Sequence, residues 1–164
     1  MTVAKISGER FSVTSLKAFG EVIKALGASV GHPNMNSFWS EIVAAKSYGE
    51  VEKIIGGVTG ASGFMEFTRF DHGGVVRKAN GEASARCVRF LIGNPLVMKR
   101  MVEHVPDAGS YAPVTILVDE RADGVRLSYD RMAGFLSGYG NEAALTVARD
   151  LDAKIERILI AAAG

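Results

Sequence analysis

PVTILVDERADGVRLSY, residues 113–129, sets two alternating apolar runs on either side of a short polar interval. Val114, Ile116 and Val118 alternate with their neighbours, and Val125, Leu127 and Tyr129 do the same beyond a short polar interval. Period-2 apolar character marks strands with one buried face. Asp123-Gly124 lies between the two runs, and glycine adopts backbone angles that bulky residues avoid. The pattern predicts adjacent antiparallel strands over 114–118 and 125–129, joined through Asp123-Gly124.

Upstream, GFMEFTRF (63–70) and ARCVRFLI (85–92) read as two further strands. NPLVMKRMVEH (94–104) reads as a short helix, with Asn94 suited to cap its first amides and Pro95 suited to the first helical position. Downstream, Asp130 is placed to cap RMAGFLS (131–137). NEAALTVARDLDAKIERILIAAA (141–163) carries Leu145, Ala148, Leu151, Ile155, Ile158, Leu159 and Ala162 at helical spacing behind an Asn141 cap. Asp150, Asp152, Lys154 and Arg157 are expected on its wetter faces.

The first third is helix-rich, at about 15–57. VAKISGERFSV (3–13) supplies a strand or two extended arms. LKAFGEVIKALG (16–27) repeats Leu16, Phe19, Val22, Ile23 and Leu26 as a helix that Gly27 stops. SVGHPNMN (29–36) is a loop. Ser37 caps a second helix, and a third begins near Glu50 with Val51, Ile54 and Ile55. The following GGVTGASG (56–63) lacks the lysine and spacing of a phosphate-binding loop. Strands interrupted by helices, with neither βαβ repetition nor a glycine fingerprint, predict an α+β domain over 1–164. Its antiparallel or mixed β-sheet is covered by helices.

At 164 residues, with 48% hydrophobic composition and a mean hydropathy of +0.15, the chain suffices for one core without disulfide or metal staples. A net charge of +1 gives no global attraction for nucleic acid or an anionic membrane. One cysteine, Cys87, and no apolar leader point to the reducing cytoplasm.

The candidate chemistry centres on FTRFDHGGVVRK (67–78). A carboxylate can orient an imidazole, and histidine as a residue type can exchange a proton under physiological conditions, so Asp71-His72 suits ligand recognition or proton transfer. The opposing expectation is a polar strand end that closes a turn at Gly73-Gly74. Asn94 brings helix amides that can bind an anion, or simply caps them. Arg69 and Arg77 supply positive charge, and Tyr129 a hydroxyl. His32, His72 and His104 are too dispersed for a metal motif, no nucleophile signature surrounds Cys87, and no cofactor follows from any segment. The leading expectation is a small-ligand-binding or regulatory protein. Its pocket joins His72, Asp71, Asn94, Arg69, Arg77 and Tyr129 around a small polar or anionic compound. The alternatives are an enzyme using His72 for proton transfer and a structural or protein-interaction module.

GFMEFTRFDHG, FLIGNPLVMKRM, YAPVTILVDE and GVRLSYD resemble the DUF302 family of uncharacterised bacterial proteins. The resemblance is strongest over residues 60–130, and the early helices with VARDLDAKIERIL resemble a longer branch that spans nearly the whole chain. It implies a small α+β fold, often seen as an oligomer, for which we expect a homodimer. It also places Asp71-His72, Gly93-Asn94-Pro95, Ala112-Pro113 and Ser128-Tyr129-Asp130 at recurrent positions. It carries no catalytic assignment.

Overall fold

The computed structural model describes residues 6–164 and has an α+β architecture. Five strands form one antiparallel sheet in the order β1-β5-β4-β3-β2. They are β1 Arg10–Ser15, β2 Met65–Asp71, β3 Cys87–Gly93, β4 Val114–Arg121 and β5 Gly124–Asp130. Residues 3–5 of the expected first arm lie outside the described residues. The expected hairpin is β4–β5, with its turn one residue earlier than anticipated. Arg121 pairs with Gly124, so Ala122-Asp123 forms the turn, and Gly124 takes a φ of +133° at the first strand position.

One sheet face presents Phe90, Ile92, Ile116, Val118, Leu127 and Tyr129 to the helices. Phe19, Val22 and Leu26 of α1 (Phe19–Ser29) pack into this core, with Ala148, Leu151, Ile155 and Leu159 of α7 (Glu142–Ala163). Each such Phe, Val, Leu or Ile side chain contributes about 1.5–3 kcal/mol on burial. A smaller cluster of Phe38, Ile55 and Met65 joins α2 (Met35–Ala44) and α3 (Tyr48–Val58) to the β2 edge. The opposite sheet face is mixed, with Ser12, Thr14, Arg89, Thr115, Leu117, Arg126 and Ser128.

Several local boundaries differ from expectation. Leu16 is 93% exposed and precedes α1, which runs through Gly27 to Ser29. Glycine costs only about 1 kcal/mol inside a helix, less than burial of Leu26 and Val30 around it returns. Asn34, not Ser37, caps α2, accepting from the amides of Asn36 and Ser37 at 3.1 Å each. Ser47 caps α3, and Gly56-Gly57 lie inside that helix. Residues expected to form a turn after Asp71 instead form α4 (His72–Asn80).

The cap of α6 (Met132–Leu136) is the largest correction. Asp130 pairs with Arg10 across β1–β5 through two contacts of 2.6 and 2.8 Å. Asp152, expected on a wet face of α7, is only 6% exposed and caps α6 from a distance in sequence. Its carboxylate accepts from the Tyr129 hydroxyl at 2.6 Å and from the Met132 and Ala133 amides at 2.8 and 3.0 Å. Asp152 shares the inward stripe with Ala148, Ile155 and Leu159, so helical geometry buries it and the α6 donors compensate it.

Candidate functional site

Asp71 closes β2 and caps α4. Its carboxylate accepts from the Gly74 amide at 2.7 Å and from Arg77 Nη2 at 3.0 Å. The two glycines permit this close packing. A Cβ on Gly73 would stand 2.5 Å from the Cys87 backbone nitrogen, and one on Gly74 would stand 2.8 Å from an Asp71 carboxylate oxygen. The His72 ring instead stacks on Phe70, with centroids 6.0 Å apart and planes 8° from parallel. Asp71 therefore orients a helix start and an arginine, and the Asp71–His72 dyad geometry is absent.

The remaining expected residues do not converge on His72. Antiparallel pairing sets Asp71 against Val88 and Met65 against Gly93. Asn94 thus lies six residues farther along β3 than the level of Asp71, roughly 20 Å away at about 3.4 Å per residue. Arg69 is clamped to Glu66 through two 2.6 Å hydrogen bonds and lies 4.7 Å from the centre of the Phe90 ring. Arg77 pairs with Asp71 and, at 3.9 Å, with Glu82. Tyr129 is buried in the Asp152 network, and burial beside that carboxylate pushes its phenol up. Burial, then Asp119 and Asp71, push the Cys87 thiol up, which disfavours the nucleophilic thiolate. Among the described residues, no three His, Cys, Asp or Glu side chains gather as metal ligands.

Asn94 does line a cavity, of a different character from the one expected. Its volume is about 220 Å³, and it lies where β3 leaves the sheet and β4 enters. Asn94 and Pro95 form one wall with Val97, Met98 and Met101 of α5 (Pro95–Val102). Ala112, Pro113 and Val114 form the facing wall, and the Ala112-Pro113 peptide is cis. Leu151 of α7 lies at one side. Trp39 and Phe67 lie at another, with ring centroids 6.4 Å apart, and Trp39 remains 47% exposed.

The Asn94 polar atoms are both engaged. Oδ1 accepts from the Leu96 amide at 2.8 Å, and Nδ2 donates to the Gly63 carbonyl at 2.8 Å. Asn94 therefore ties the approach to β2 onto the start of α5 and leaves the cavity with an apolar lining. Sequence reasoning missed Trp39, Phe67, Met98 and Met101. The signal lay in the pairing of Ile92 with Val114, which sets Gly93-Asn94-Pro95 beside Ala112-Pro113 once β3 and β4 are antiparallel neighbours.

The family described as Domain of unknown function DUF302 matches residues 40–162. Among solved structures, the chain is similar to an uncharacterised conserved protein DUF302 from Bacillus stearothermophilus, at 14% identity and a TM-score of 0.65. That likeness covers 93% of this chain and 97% of the other, and it concerns the fold. No curated protein matches the chain.

Proposed function

Because the chain belongs to the DUF302 family, whose description assigns no activity, we propose its function from its cavity: a small-molecule-binding protein that takes an apolar or amphipathic ligand. The carrying observation is the 220 Å³ space bounded by Trp39, Phe67, Met98 and Pro113, with the polar atoms of Asn94 already engaged. An apolar cavity of roughly 150 Å³ accepts benzene, so the volume suffices for a small ring or a short chain. Methionines adapt to different ligand shapes, and a half-exposed tryptophan offers a flat contact surface. The polar or anionic specificity inferred from His72 does not fit this lining. A cytoplasmic setting, consistent with a lone thiol, belongs to the same reading.

Benzene, followed by methyl resonances in NMR, tests this reading. Saturable shifts at Val97 and Met98 are expected, lost in V97F, which fills the cavity, and retained in H72Q, which lies at the other end of β2. Shifts centred on His72, or an unchanged response in a folded V97F, would contradict it.

A further inference from the structure

A second cavity of about 220 Å³ opens on the mixed face of the sheet, near the start of β4 and the end of β5. Pro113 and Val114 contribute to both cavities, so the entry to β4 is their common wall. This second space is polar, with Arg89, Ser110, Tyr111, Thr115 and Asp130 around it and Phe135 at one side.

Arg89 is distinctive here. Its Nη2 donates to Thr115 Oγ1 at 3.1 Å, while its Nε is buried without an acceptor. Among the described residues it pairs with no carboxylate, whereas Arg77 and Arg126, which also hold a buried nitrogen without a partner, each do. Asp130 borders the same cavity, and its bidentate contact with Arg10 holds its carboxyl below the usual range and partly neutralises it. Arg89 is the one cationic residue lining this cavity, and no carboxylate is paired with it there.

We propose that this cavity binds a small molecule bearing a single carboxylate, received by Arg89. A planar carboxylate matches the donor fork of arginine. One cation beside one partly neutralised carboxylate favours a monoanion over a dianion such as phosphate, which Asp130 repels more strongly. Ser110 and Tyr111 bring hydroxyls to the same space. The Tyr111 and Phe135 rings, stacked at 4.8 Å and 15°, offer an apolar surface to the rest of the molecule. The site stands independently of the apolar cavity across Pro113.

Benzoate, with benzyl alcohol as its uncharged counterpart, tests the proposal by NMR titration of the full chain. Benzoate is expected to shift Arg89 Nε–H and the Thr115 amide saturably and to bind at least tenfold more tightly than benzyl alcohol. R89Q is expected to weaken benzoate at least tenfold, and T115V, which frees the guanidinium from its orienting hydroxyl, severalfold. Equal affinity for the two probes, no saturable shift at Arg89, shifts confined to Val97 and Met98, or undiminished binding in R89Q would overturn it. Should R89Q fail to fold, undiminished benzoate binding in T115V would overturn it in the same way.

Discussion

Replacing Asp152 by alanine removes one acceptor group from two buried donors and one half-buried donor. The Met132 amide retains the Tyr129 oxygen at 3.3 Å, but the Tyr129 hydroxyl and the Ala133 amide lose their partner. An orphaned buried donor costs about 1–3 kcal/mol. Relief of the desolvated carboxylate offsets part of the loss, so D152A should be destabilised by roughly 2–4 kcal/mol. That is a large share of the ~5–15 kcal/mol typical of a domain, and should lower Tm by roughly 5–15 °C at this chain length. Y129F leaves both amides capped and should cost less. Burial pushes the Asp152 carboxyl above its ordinary value, against the hydrogen bonds that favour the charged form. Between the unfolded value near ~3.9 and the raised folded value, the native state holds more protons, so this group's contribution to stability falls as pH rises through that window. Urea denaturation followed by circular dichroism, on wild type, D152A, Y129F and the non-titrating D152N across pH 4–8, measures both effects. A D152A stability within about 0.5 kcal/mol of wild type would refute the cap as a stabilising network.

Glu120 predicts the opposite pH dependence. The hydrogen bond from Arg86 holds its carboxyl down at about 2. Its contribution is present above the unfolded value near ~4.3 and is lost as pH falls towards the folded value, so acid urea midpoints should fall more steeply for wild type than for E120Q; parallel curves would contradict the pairing. G73A should lose about 1–3 kcal/mol in the same denaturation assay, because a new Cβ would meet backbone at Cys87 and Ala85, and a neutral effect would show that α4 moves freely. Multi-angle light scattering is expected to give twice the 17.4 kDa of one chain, the homodimer that the family resemblance implies. Monomer mass throughout the concentration range would dismiss that assembly.

The strands and the closing helix were legible because period-2 and period-3.6 patterns each name a buried face directly. Asn94-Pro95 was equally legible, since cap chemistry is local. Legibility ended where a partner comes from far along the chain. Asp130 looks like the cap of α6 from its neighbours, yet Arg10 lies opposite it in the sheet and Asp152 reaches α6 from α7. The burial of Asp152 could have been read from its spacing to Ala148 and Ile155, but its donors could not. Asp71-His72 misled for a related reason: adjacency in sequence suggests a dyad, whereas Gly73-Gly74 lets the chain enter a helix whose amides engage Asp71 first. The apolar cavity draws on α2, β2, α5, the start of β4 and α7, so only the strand order assembles it.

Trp39 is the only tryptophan, and it borders the apolar cavity, so its emission reports occupancy directly. The decisive measurement is a titration of that emission with straight-chain alcohols from 1-butanol to 1-octanol. Each buried methylene contributes about 0.8 kcal/mol, so affinity should rise about fourfold per carbon until the cavity is filled, with a blue shift that V97F abolishes. A non-saturating response, or an affinity indifferent to chain length, would contradict an apolar binding site between Trp39 and Pro113.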